Sequence, residues 1–152
     1  MPDTEIQRPR SGYLMPPIDH ATVGAAMHPG IVSCAPEASL TEVAQIMTLH
    51  RVHCVALMSD TRDGSGERMV WGIISDVDLL RAGIRDGACA TASALALEPV
   101  INVRETTLLR DAGELMLAHG VSHLVVVSAE AQRPIGVLST LDIAAMIAWD
   151  DA

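Results

Sequence analysis

The sequence predicts an α/β (α+β) fold in which two β-α-β-β-α units pack about a pseudo-twofold axis through their sheets. Three observations carry this: residue identities recur at a fixed offset, the hydrophobic period switches twice within each copy, and the composition is that of a globular chain. Met47, His50 and Val52 recur as Met116, His119 and Val121, each pair 69 residues apart. Gly72, Ser75 and Asp78 recur as Gly136, Ser139 and Asp142, now 64 apart, so the first copy holds five extra residues between its matched blocks. Those residues fall in SDTRDGSGER, a turn-rich segment where insertion is cheap.

The elements follow in order. Pro2, Pro9, Pro16 and Pro17 stand among few aliphatics, so residues 1–20 read as a flexible arm ahead of copies at 21–86 and 87–152. Ile31 to Cys34 is a short apolar run expected as a strand. Ser39 with Glu42 three residues on is a capping box. Leu40, Val43, Ala44 and Met47 then fall at i, i+3, i+4 and i+7, one buried helical face. Cys54 to Met58 is too short and too continuously apolar for anything but a buried strand. Asp63-Gly64-Ser65-Gly66 turns the chain into another strand at Met69 to Ile74, and a helix follows from Asp76. The second copy repeats this order. EPVINV leads to a helix with Leu109, Ala112, Gly113 and Met116 on its inner face, then strands at Leu124 to Val127 and Ile135 to Leu138, and a last helix to about Trp149. A unit this small, with one three-stranded sheet, leaves one sheet face uncovered, so the two should pack against each other and create paired clefts at the seam.

The 152 residues are 49% hydrophobic and 19% charged, enough to bury a core. Ten basic residues, all arginine, against nineteen acidic ones give a net charge of −9, which argues against nucleic acid or an anionic membrane as partner. The arginines are scattered rather than clustered. Cys34, Cys54 and Cys89 show no C-x-x-C pair, so neither a disulfide framework nor a zinc knuckle is indicated. No stretch approaches the ~18 apolar residues of a membrane span, and the start lacks the basic-then-apolar order of a signal peptide, so the expected compartment is the cytoplasm.

Gly72-Ile-Ile-Ser-Asp-Val-Asp78 and Gly136-Val-Leu-Ser-Thr-Leu-Asp142, with the helix blocks VAQIM-TLHRV and AGELM-LAHGV and the β-α-β-β-α order, resemble the tandem CBS-domain pair over Thr22 to Trp149. The two glycine-led blocks look like that family's G-h-h-[ST]-x-x-D signature. The resemblance implies a regulatory, non-catalytic pair that binds an adenosine-containing ligand, AMP, ADP, ATP or S-adenosylmethionine, in its two clefts. It also implies a disc-like homodimer acting on a separate, unidentified partner protein, with no cofactor required. It further implies that Ser75 and Asp78 face the Val100 and Ser122 regions of the other copy, and that Ser139 and Asp142 face the Ile31 and His53 regions. Where some nucleotide-binding members carry a hydroxyl just before the Asp, this chain has Val77 and Leu141.

The signature has a chemistry of its own. One ionised carboxylate can accept from both hydroxyls of a ribose, a role expected of Asp78 and Asp142. Ser75 and Ser139 open their helices, where a hydroxyl and free backbone N–H groups can meet a ribose or phosphate oxygen, and the glycine permits close approach. Ser-x-x-Asp is equally a capping signature that needs no ligand. A reciprocal box prefers Glu or Gln at the third position, as at Glu42, so Asp at both 78 and 142 favours the ligand. A triphosphate would draw on Arg51, Arg81, Arg85, Arg104 or Arg133.

The alternatives are a ligand-free dimerisation scaffold and a metal-responsive module using His50, His53 and Cys54, with His119 and His123 at or beside the equivalent places. The histidine spacing is not a standard metal pattern, and His50 and His119 close helices where an imidazole meets the last carbonyls, so no metal site is assigned. The methionines fill a core that lacks Phe. No nucleophile elbow, zincin, Walker or dinucleotide motif is present, Asp60 to Gly64 reads as a turn rather than a calcium loop, and Cys34 reads as an inert thiol.

Overall fold

A computed structural model describes residues 18–59, 69–85, 90–96 and 99–148. Most of the expected arm, the turn at Asp63 to Gly66, Cys89 and the end of the last helix at Trp149 lie outside the described residues. The first copy supplies β2 (Ser33–Cys34), α2 (Leu40–His50), β3 (Cys54–Met58), β4 (Val70–Ser75) and α3 (Asp76–Arg85). The second supplies β5 (Asn102–Arg104), α5 (Leu109–His119), β6 (His123–Val127), β7 (Pro134–Ser139) and α6 (Thr140–Ala148). Three short elements open the copies: α1 (Val23–Ala26) and β1 (His28–Pro29) in the first, α4 (Ala92–Leu95) in the second.

Each helix forms where its caps and apolar stripe allow. In α2 the Glu42 N–H donates to Ser39 Oγ at 3.1 Å and the Ser39 N–H donates to Glu42 Oε2 at 2.7 Å, closing the expected box. Val43 and Met47 are buried while Leu40 and Ala44 are half-buried, as the stripe requires. In α5 the cap position is Leu108, whose side chain caps nothing, and the Leu109 N–H instead donates to the Ala21 carbonyl at 2.8 Å. Both helices end on a left-handed residue: Gly120 at φ 63° in α5, but Arg51 at φ 52° in α2, where a Cβ makes the conformation costly.

Two sheets result. One runs β2-β3-β4, with β2 parallel and β4 antiparallel to β3; the other runs β1-β7-β6-β5, with β5 parallel and β7 antiparallel to β6. Both central hairpins carry a register shift at the same place, between Leu57 and Met58 and between Val126 and Val127. The inner sheet faces meet in a cluster of Cys54, Ala56, Val70 and Ile73 from the first copy with Val125 and Val127 from the second. Ile31 and Val100 pack against this seam. The expected strand at Ile31 to Cys34 is shorter in the structure because Ile31 turns into the seam rather than along the sheet.

The leading segments do not stay with their own copies. Ala21 and Val23 of the α1 segment are buried in the core of the second copy, beside Leu109, Ala112 and Met116. Ala92 and Leu95 of α4 are buried in the core of the first, beside Val43, Val55 and Ile74. The exchange is symmetric at the level of single hydrogen bonds. The Val23 N–H donates to the Thr107 carbonyl and the Ala92 N–H to the Ala38 carbonyl, both at 2.8 Å, and each atom of one bond is 69 residues from its counterpart in the other. The isolated bridges Thr22–Leu108 and Thr91–Ser39 obey the same relation.

The signature glycines make the exchange possible. A Cβ on Gly136 would lie 2.5 Å from the His28 carbonyl oxygen, because β1 crosses β7 there with Pro29 opposite Gly136. A Cβ on Gly72 would lie 3.2 Å from the Ala96 Cβ and the Leu57 Cδ1. The neighbours nearest these positions are backbone and side-chain atoms of the traded segments and of β3. Gly136→Ala should therefore destabilise the fold by about 1–3 kcal/mol, as overpacking against backbone does, and Gly72→Ala by less because side chains can give way. Urea-unfolding midpoints of the two variants check the order, and equal midpoints would contradict it.

Candidate functional site

The two signature blocks run from the ends of β4 and β7 into α3 and α6, at matched places on the two sides of the seam. At the first, the Ser75 N–H donates to Asp78 Oδ2 at 2.9 Å, the Ser75 hydroxyl donates to the same oxygen at 3.0 Å, and the Asp78 N–H donates to Ser75 Oγ at 3.2 Å. At the second, the Ser139 N–H donates to Asp142 Oδ2 at 2.8 Å and the Asp142 N–H to Ser139 Oγ at 3.3 Å. Both are complete reciprocal capping boxes. The preference for Glu or Gln at the third position, which favoured the ligand over a cap, does not hold here: at these helix starts the Asp carboxylate reaches back to the serine N–H with good geometry.

Capping consumes only one oxygen of each carboxylate. Oδ1 of Asp78 accepts from Arg81 Nη1 at 3.3 Å, within the same helix. Oδ1 of Asp142 lies 2.9 Å from His28 Nδ1, which comes from β1 across the sheet. Both carboxylates are buried, at 4% and 6% exposure, whereas the Arg81 and His28 side chains are 44% and 77% exposed. The partners are thus exposed where the carboxylates are enclosed.

The remaining expected residues fall as follows. The carbonyls of His53 and Ser122 hold the first turns of the helices in their own copies, accepting from the Asp76 N–H at 2.9 Å and the Thr140 N–H at 3.1 Å. The His53 Nδ1 also lies 3.0 Å from Asp76 Oδ2. Arg51, Arg104 and Arg133 are exposed, and the Arg85 side chain lies outside the described residues. Val77 and Leu141, at the places where a hydroxyl would stand, are 53% and 61% exposed. Among the described residues no three His, Cys, Asp or Glu side chains converge as metal ligands. His119 Nδ1 lies 3.0 Å from the Leu115 carbonyl, the helix-end contact expected of it. Burial, reinforced by Glu42, pushes the Cys34 thiol up, so it carries little thiolate at neutral pH.

One residue that the sequence reading named without assigning it a role lies at the centre of this geometry. His123, at the start of β6, is buried at 5% exposure and stands opposite Ser139, as Cys54 stands opposite Ser75 in the first copy. It feels Asp76, Asp78 and His53 of the first copy and Asp142 of its own. Its offset of 69 from Cys54 was available in the sequence, but a His against a Cys gives no identity to notice.

Two surface grooves lie elsewhere. One of about 630 Å³ runs along α2 and is lined by Cys34, Glu37, Glu42, Ile46 and Leu49. Another of about 390 Å³ lies between α5 and α6. Neither is lined by the signature serines or aspartates.

The CBS domain family matches the chain twice, over residues 23–85 and 92–148. No curated protein matches. Among solved structures, the chain is similar to a CBS domain protein from Pyrobaculum aerophilum complexed with AMP, at 27% identity and a TM-score of 0.67, covering 87% of this chain and 100% of that one. It is similar to a CBS domain pair in complex with 5-methylthioadenosine and S-adenosyl-L-methionine, at 19% identity, a TM-score of 0.71 and coverages of 84% and 96%. It is also similar to Hypoxic Response Protein I with two coordinated zinc ions, at 25% identity, a TM-score of 0.59 and coverages of 82% and 98%.

The electrostatics of His123 give a test with a definite sign. Burial lowers its affinity for a proton below the ordinary 6.5, His53 adds to this, and Asp76, Asp142 and Asp78 oppose it. The unfolded chain then takes up a proton near pH 6.5 while the native state resists, so stability should fall as pH drops below about 6.5, until the native imidazole also protonates. Thermal melts of wild type between about pH 7.5 and 5.5 should show this loss, and His123→Leu should flatten it over the same window. An unchanged slope in the variant would remove His123 as the cause.

Proposed function

Because the chain belongs to the CBS domain family, with one domain in each half, we propose that it is a non-catalytic regulatory module that binds an adenosine-containing nucleotide at the seam and signals to a separate protein. The observation that carries this reading is the pair of signature carboxylates, Asp78 and Asp142, each buried at a helix start with one oxygen left over from capping and an exposed partner on it. That oxygen can accept from a ribose diol, and the helix N-terminus behind it suits a phosphate. The AMP-bound relative at 27% identity supports the ligand class.

A ligand-free scaffold is the second reading, favoured by one observation: both capping boxes are complete without a ligand. Self-association belongs to either reading. α3 exposes Val77, Leu80 and Ile84, spaced along one face, and α6 exposes Leu141 and Ile147, apolar surface that a second copy would cover.

Thermal shift with AMP, ADP, ATP, S-adenosylmethionine and zinc separates the readings. A millimolar nucleotide of micromolar affinity should stabilise wild type by roughly 4 kcal/mol, and the shift should vanish in Asp78→Ala/Asp142→Ala. Ser75→Ala/Ser139→Ala also loses capping, about 1 kcal/mol at each helix, but should keep a ligand-induced shift. No shift with any nucleotide would leave the scaffold. Light scattering on Leu80→Glu should report a monomer where wild type reports a dimer, and a monomeric wild type would remove the self-association.

A further inference from the structure

The two carboxylates are equivalent in their capping and different in what occupies the oxygen that capping leaves over. Asp78 Oδ1 is held by Arg81, three residues along the same helix, at 3.3 Å. That contact begins and ends within α3, so breaking it moves no other element. Asp142 Oδ1 is held by His28 at the shorter distance of 2.9 Å. His28 belongs to β1, whose register on β7 sets His28 opposite Val137 and Pro29 opposite Gly136. On one side of β1, Met27 N–H bonds the Val23 carbonyl of α1, the helix buried in the second copy; on the other, Gly30 N–H bonds the Ile135 carbonyl before the chain turns to Ile31 in the seam.

We propose that His28 is a latch on the second site: it occupies the Asp142 oxygen that a ribose hydroxyl would use, and a ligand reaches that oxygen only when His28 lets go. This inference rests on the ribose reading of Asp142. The chemistry favours competition over sharing. Asp142 is nearly enclosed, its other oxygen already accepts from Ser139, and a single buried oxygen face offers little room for an imidazole and a diol together. The His28 ring, 77% exposed, can rotate into water at small packing cost. The consequence is that the two sites differ in affinity and in output. Filling the first displaces at most an arginine on its own helix. Filling the second breaks a side-chain tie between β1, from the leading segment of the first copy, and α6 of the second, leaving the backbone pairing of β1 with β7 in place, so the second site is the one coupled to a contact between the copies.

The test is calorimetric titration of the full chain with AMP. In an Asp78→Asn background, which leaves the second site, His28→Ala should tighten AMP binding roughly fivefold, the worth of one hydrogen bond no longer displaced. His28→Gln, which can donate to the same oxygen, should stay near the wild-type residue's affinity. In an Asp142→Asn background, which leaves the first site, His28→Ala should change AMP affinity less than twofold. Because the His28 side chain is exposed, the variants at that position keep the fold. Binding at the second site that is indifferent to His28→Ala, or weakened by it, overturns the latch and leaves the ribose reading standing. AMP binding to none of these proteins, wild type included, sinks the ribose reading and the latch with it.

Discussion

A three-stranded sheet with helices on one side has a second apolar face, and in this chain only another sheet can cover it. Cys54, Ala56, Val70 and Ile73 of one copy meet Val125 and Val127 of the other, and this apolar contact dictates most of what surrounds it. Each fully buried aliphatic there is worth about 1.5–3 kcal/mol relative to exposure, so a single copy would forfeit much of its stability. The helical side has the mirror problem, solved by the exchanged segments. Val23 and Leu95 are each buried at 4% exposure or less in a core that belongs to the other copy. The copies are thus joined twice, by their sheets and by the segments they trade, and the glycine of each signature is where a traded segment crosses a strand.

Within that frame four residues serve stability, and two of them, Asp78 and Asp142, are those proposed for recognition. Ser75 with Asp78 and Ser139 with Asp142 satisfy the first N–H groups of α3 and α6, which would otherwise be orphaned beside an apolar seam. A carboxylate held in this way is pre-oriented, so a ligand that donates to its second oxygen need not pay for ordering it. The burial that makes capping valuable also sharpens the electrostatics of the oxygen left over. Capping leaves one oxygen of each carboxylate over, which is why the spacing alone could not choose between a cap and a ligand site.

Much of the fold was legible because it rests on local signals. The Ser39–Glu42 box, the Val43–Met47 stripe and the Cys54–Met58 run each require only neighbours in sequence, and each stands where it was expected. α1, β1 and α4 were not read, for a physical reason. They are only 2–4 residues long, too short for a period, and their stability comes from a distant core. A trace was present: Ala21-Thr22 and Ala90-Thr91 continue the offset of 69 upstream of the first strands. At the site, the serines and aspartates were legible from their repeated spacing. Their partners were not, since Arg81 is one of ten scattered arginines and His28 reaches Asp142 only through the pairing of β1 with β7.

Two copies that trade their leading arms have the architecture of an arm-swapped homodimer written into one chain. In a true homodimer every substitution enters both halves at once, and symmetry ties the two sites to a common fate. Fusion removes that tie, and this chain has used the freedom at several matched positions. Arg51 takes the left-handed cap where its counterpart is Gly120, Cys54 stands where its counterpart is His123, and Ser39 caps a helix where its counterpart is Leu108. The conserved geometry of the backbone bonds shows that none of these changes required the frame to move. A fused pair can therefore hold one half as scaffold while the other half drifts toward a new task, a division of labour that no symmetric assembly of identical chains can reach.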